Sequence, residues 1–185
     1  TFTLSGLQTS LPKYFLYGGT LATSIAYLDN IGIEPSTIQS YSFSAKFSVV
    51  SSLDLTSCFL DSNGNDCATL INWGDGTIDS NLTHTYSISG DYVISVVCDD
   101  AVEIYVLGNT ITEFYYAIAD NLVYLDLSTN QLTAFNPNKQ LPNGLQSLNI
   151  AENLITVFNP SIALPIGLQY LGLGNNQIVD FNPSI

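Results

Sequence analysis

The sequence predicts a mainly β fold, with antiparallel strands in its first half and a coiled solenoid carrying a parallel sheet in its second. Three observations predict this. Leu122, Leu145 and Leu168 each open the same apolar phrase, 23 residues apart, and a fixed period in the twenties marks stacked repeats. Tyr41, Phe43, Ala45, Phe47 and Val49 alternate with serines and a lysine, the period of a half-buried strand. Hydrophobic residues make up 46% of the chain and charged ones only 10%, which is the composition of an ordered protein. At 185 residues there is room for two small domains. The reading divides the chain into a segment at 1–40, an antiparallel β domain at 41–100 and repeats at 101–185.

Residues 1–40 mix short apolar runs, Tyr14–Tyr17 and Ile25–Leu28, with Pro12, Pro35 and Gly18-Gly19. Two readings stay open, extra strands or a linker on the β domain, and an arm that docks onto a neighbouring subunit. The arm is favoured because Tyr14, Phe15, Tyr17, Tyr27 and Leu28 need cover. No basic stretch followed by an apolar core is visible, so any signal peptide is expected to be already removed or never present. No apolar run is long enough to cross a bilayer.

In the middle, Ile71-Asn-Trp73-Gly74-Asp75-Gly76-Thr77 precedes His84-Thr85-Tyr86 and then Gly90-Asp-Tyr92 with an alternating apolar run to Val97. Tyr92–Val97 is rich in aromatic and β-branched residues and follows a turn at Gly90, as a strand should. Gly74 and Gly76 suit positive φ, and Asp75 can accept hydrogen bonds from neighbouring amides. This stretch resembles the PKD-type module, an immunoglobulin-like β-sandwich found on cell surfaces and phage virions. The resemblance implies that Trp73, the only tryptophan, sits between two sheets and that Asp75, His84 and Tyr86 are structural. His84 is the sole histidine, and a structural role leaves it unfit for a catalytic one.

Asn63-Gly64 is the strongest local hairpin signal. A two-residue turn there sets Cys67 opposite Leu60 and leaves Cys58 diagonal to Cys67. The same stretch begins like an EF-hand loop, but Asp66 stands where glycine is needed and Asn72 where a bidentate glutamate is needed. A polar hairpin tip is the preferred reading, with calcium among Asp61, Asn63, Asn65 and Asp66 as the alternative. No other cofactor is expected. Cys58, Cys67 and Cys98 are an odd set; pairing between any two, or buried free thiols, stays open.

The repeating phrase is Leu122-x-x-Leu125-x-Leu127-x-x-Asn130-x-Leu132-x-x-Phe135-Asn-Pro, then the same from Leu145 to Phe158 and from Leu168 to Phe181. It resembles the leucine-rich repeat, in which a short parallel strand turns its apolar positions inward. Asn130, Asn153 and Asn176 are expected to stack as a ladder where the chain leaves each strand. Phe135, Phe158 and Phe181 are expected to fill the far side, and the Asn-Pro after each blocks helix and favours an extended convex side. A degenerate upstream copy places Ala101, Ile104, Val106, Asn109, Ile111 and Phe114 in the same slots, giving about four repeats with the last incomplete. The preceding domain would cap one end. Beyond Ile185 the expectation is more chain or a covering subunit, because one coil cannot bury its own apolar face.

Three basic against sixteen acidic residues give a net charge of −13. That balance excludes a phosphate-binding surface and disfavours anionic lipid, so neither nucleic acid nor direct membrane insertion is expected. No nucleophile elbow, phosphate loop or Cys-x-x-Cys pair is present, and no enzymatic role is expected. What remains is surface. Alternation puts Glu103, Tyr105, Tyr124, Asp126, Ser147, Asn149, Tyr170 and Gly172 outward on the concave face, where tyrosines with small polar neighbours suit protein or glycan contacts. The leading expectation is a non-enzymatic protein of the extracellular, cell or virion surface, with the repeats as recognition or adhesion element. The alternative is a structural subunit of a phage virion or extracellular filament, whose partners are neighbouring subunits. A third, an accessory fragment of a carbohydrate-active enzyme, rests on the company such modules keep.

Overall fold

The computed structural model describes residues 40–108 and 110–182. All of the arm or linker assigned to residues 1–40 except Ser40 lies outside them, as do the Asn109 slot and the residues beyond Asn182. The described residues are mainly β with no helix, and combine antiparallel and parallel sheets. No helix among them is long and apolar enough to cross a membrane.

The alternating run forms β1 (Phe43–Val49), whose Phe43, Ala45, Phe47 and Val49 are buried. Its other face is not simply solvated. Ser44 is buried too, with its hydroxyl at 2.8 Å from Ser95 Oγ and donating at 3.2 Å to the Ile94 carbonyl. β1 lies at the heart of an antiparallel sheet, paired with β7 (Gly90–Val97) on one side and β9 (Ile111–Ala117) on the other. β4 (Leu70–Asn72) extends the sheet beyond β7, and β5 (Ile78–Asp79) beyond β4. A separate antiparallel ribbon joins β2 (Ser52–Asp54) to β6 (Thr83–Thr85).

The repeating phrase lays down one short strand per copy. β8 (Glu103–Tyr105), β10 (Tyr124–Asp126), β11 (Ser147–Asn149) and β13 (Tyr170–Gly172) pair in parallel. Their central residues Ile104, Leu125, Leu148 and Leu171 stand side by side in register, one repeat apart. Behind them, Leu122, Leu127, Leu132, Leu145, Ile150 and Ile155 are fully buried, each such side chain contributing roughly 2 kcal/mol of transfer free energy. On the far side Val157–Phe158 (β12) and Asp180–Phe181 (β14) pair in parallel. No helix follows Phe135 or Phe158, in keeping with the proline two residues after each.

Strands cross between the two halves in both directions. β9 follows β8 as the far side of the first coil, yet it is also an edge strand of the β1 sheet. Phe59–Leu60 (β3) leaves the first half and pairs antiparallel with β8, covering the outer edge of the parallel sheet. The described residues from Tyr41 onward accordingly belong to one compact unit, with one continuous apolar core.

The hairpin after β3 differs from the two-residue turn expected. Leu60 bridges Asp66, and Asp61 N–H donates to the Asn65 carbonyl at 2.9 Å, so the loop holds three residues. Cys67 therefore stands opposite Phe59, its amide donating to that carbonyl at 2.9 Å, and not opposite Leu60. The cause is Asp61. Its carboxylate accepts from the amides of Asn63 (2.8 Å) and Asn65 (2.9 Å), while Gly64 takes φ of 77°. A three-residue loop with a left-handed last position satisfies all of these bonds, whereas a two-residue turn does not.

Candidate recognition face

Each coil is fixed by its asparagine. Asn130 Oδ1 accepts from Ile111 N–H at 2.9 Å, and its amide donates to the carbonyls of Val106 and Leu127 at 2.8 and 3.0 Å. Asn153 repeats this with Leu132, Leu127 and Ile150, and Asn176 with Ile155, Ile150 and Leu173. Every asparagine thus binds its own coil to the one before it. The residue before it pays in backbone strain: Thr129, Glu152 and Asn175 all have φ between 54° and 59°. Phe114, Phe135, Phe158 and Phe181 form a stacked column with successive centroids 5.5, 6.3 and 5.6 Å apart. Phe135 and Phe158 are buried in it, while Phe181 is 56% exposed.

That scaffold holds the opposite side of the parallel strands in two rows. Glu103, Tyr124, Ser147 and Tyr170 pair across the sheet in one row; Tyr105, Asp126, Asn149 and Gly172 pair in the other. All the outward residues expected from alternation therefore share one face. Its two most exposed side chains are Tyr124 (42%) and Tyr170 (55%), separated by the small Ser147. Asp126 is held in place, accepting from Ser128 N–H at 2.8 Å and from Asn149 Nδ2 at 2.9 Å. Burial and a hydrogen bond to Glu103 push the Tyr105 hydroxyl up to about 12, so it stays a neutral donor.

Alternation does not reveal why Gly172 is there. Any Cβ on it would run into Asn149 Oδ1 and come within 3.0 Å of the Tyr170 ring. The missing side chain lets Tyr170 lie down over the strand beside Asn149. At the N-terminal rim of the same strands, Asp61, Asp100, Val102, Asn121 and Val123 line a shallow groove.

The residues of the Trp-Gly-Asp-Gly-Thr stretch interlock away from this face. Trp73 is fully buried, stacks on the His84 ring at 5.1 Å, and donates from Nε1 to Asp79 at 3.1 Å. His84 Nε2 lies 2.8 Å from Asp75 Oδ2. Tyr86 packs edge-on against His84 and donates its hydroxyl to the Trp73 carbonyl at 3.0 Å. Partial burial raises the Asp75 carboxyl, but hydrogen bonds from His84 and Thr77 outweigh it and hold the group below the usual carboxylate range.

Asp61, Asn63, Asn65 and Asp66 are engaged within and beside their own loop. The Asp61 carboxylate is turned to the amides of its own loop, and Asp66 accepts from Ser57 N–H at 2.8 Å. Among the described residues no three acidic, cysteine or histidine side chains are grouped for a metal. Cys58, Cys67 and Cys98 are free thiols. Burial, aided by nearby carboxylates, pushes Cys58 and Cys67 up to about 11, and burial raises Cys98 as well. Thiols held protonated are poor nucleophiles.

No family model matches the chain, and no curated protein or solved structure matches it either.

Proposed function

We propose that the chain is a non-enzymatic recognition or adhesion module exposed on a cell or virion surface. In this reading a PKD-like, immunoglobulin-like β-sandwich carries a short leucine-rich-repeat solenoid, and the outward face of the parallel strands meets the partner. The observation that carries it is the register that lines up Tyr124 and Tyr170 with Glu103 and Asp126 on one face. Large amphipathic rings supply contact area at low entropic cost, and fixed polar groups beside them supply direction. The chemistry of the nucleophilic groups speaks against catalysis. The only histidine is committed to Asp75 and Trp73, and the thiols are held protonated.

The test is binding of the whole chain to arrayed glycans and to candidate host cells, with Tyr124→Ala and Tyr170→Ala alongside. Binding that both substitutions weaken supports the reading; binding indifferent to both contradicts it. A structural subunit of a virion or filament is the second reading, favoured by the exposed Ile166, Val179 and Phe181 on the last coils. Light scattering on the isolated chain separates the two, since assembly into larger species supports the subunit and a stable monomer counts against it.

A further inference from the structure

The recognition face is sorted by charge as well as by shape. It bears two carboxylates, Glu103 and Asp126, and no cation. Among the described residues there are two lysines and no arginine, and both lysines are engaged elsewhere. Lys46 pairs with Glu113 at 2.9 Å and Asp91 at 3.8 Å; Lys139 lies over the Tyr116 ring at 3.8 Å. Asp61 and Asp100 add negative charge along the rim of the same strands. Tyr124 and Tyr170, two strands apart, stand about 10 Å from each other along the row. Between them lies only Ser147, and Tyr170 is laid over Gly172.

Exposed aromatic rings beside uncompensated carboxylates form a receptor for a cation. The ring face attracts a guanidinium or ammonium electrostatically, and a carboxylate can accept two of its N–H groups. We infer that this face binds an extended, arginine- or lysine-bearing segment of a partner protein, its cationic side chains set against the Tyr124 and Tyr170 rings, with Glu103 beside Tyr124 in the row and Asp126 two residues along the same strand as the carboxylates that meet them. The inference rests on the recognition-face reading and adds the partner's chemistry. A neutral glycan would use the rings and the amide of Asn149, but it would leave the sign of the face without a role. A chain of net charge −13 attracts any polycation weakly over its whole surface, so the local site must be separated from that background. Substitutions that leave the net charge unchanged do so.

Fluorescein-labelled tetra-arginine and tetra-glutamine peptides and an array of neutral glycans are tested against the whole chain at low and physiological salt. Thermal melts check that each variant is folded. Tetra-arginine is expected to bind and tetra-glutamine not. Tyr124→Ala and Tyr170→Ala should each weaken tetra-arginine binding by about three- to five-fold, while Tyr124→Phe keeps most of it. Glu103→Gln should weaken it more than Asp180→Asn, an equal change in charge at an exposed carboxylate off this face. Equal effects of Glu103→Gln and Asp180→Asn, with the tyrosine variants unchanged, would mean diffuse attraction and overturn the inference. Glycan binding lost in the tyrosine variants, with tetra-arginine indifferent to them, would keep the recognition face and overturn its cationic partner. Indifference of both probes to every face substitution would overturn both.

Discussion

Asn153 accepts a hydrogen bond from Leu132 N–H and donates to the carbonyls of Leu127 and Ile150, all at 2.9 to 3.1 Å and all buried. Asn153→Ala strands those backbone groups without water and should cost about 3 kcal/mol, or about 6–12 °C in Tm by calorimetry. Asn153→Asp should be no better, since it turns a carboxylate toward carbonyl oxygens. Asn176→Ala should cost less than Asn153→Ala because Asn176 is only partly buried. The asparagine positions were legible in the sequence from their spacing alone. The left-handed residue before each was not, because Thr129, Glu152 and Asn175 share no side-chain chemistry that announces it.

Asp75 shows the same economy in the first half. Its folded pKa lies below its unfolded value, so its bond to His84 stabilises fully above that unfolded value, near pH 4. The contribution fades as pH falls through the lower folded value. Asp75→Asn should therefore lower Tm at pH 6 by the equivalent of about 1 kcal/mol, and the gap from the parent should shrink by pH 3. A gap that stays constant across this range would show that the carboxylate charge has no part in the bond.

At the scale of elements, the turns that leave β10, β11 and β13 each hold one left-handed residue other than glycine. Glu152 sits at φ 55°, a conformation that costs an L-residue about 1–2 kcal/mol. Glu152→Gly removes that cost, gives back part of it as unfolded-chain entropy, and should raise stability by about 0.5 kcal/mol in urea melts. The short strands were legible because period-2 and period-23 patterns fix both register and face. The hairpin after β3 is one residue longer than the sequence pattern predicts. Asn63-Gly64 favours a two-residue turn, but the Asp61 carboxylate gathers the amides of Asn63 and Asn65 and selects the longer loop.

For the whole molecule, the sequence pattern places a boundary near residue 100, while the strands do not stop there. β9 was readable only as repeat slots, through Ile111 and Phe114; its pairing with β1, some seventy residues earlier, leaves no local signature. The same holds for β3 against β8. The fragment 101–185 loses both partners, so it should show no cooperative melt on its own, whereas residues 40–182 melt in one transition. A cooperative fragment melt would mean that the coils stand alone. The outward face of the parallel strands was legible residue by residue, yet its charge isolation was not, since that depends on where Lys46 and Lys139 fold.

The most direct test of the account is the proton contacts between residues 124–126, 147–149 and 170–172 in an isotope-labelled sample. Stacked coils with Tyr124, Ser147 and Tyr170 in one row require parallel interstrand contacts from Leu125 to Leu148 and from Leu148 to Leu171. Their observation would establish the face that the proposed recognition uses. Contacts of Leu148 with neither neighbour, or an antiparallel pattern between these strands, would contradict it.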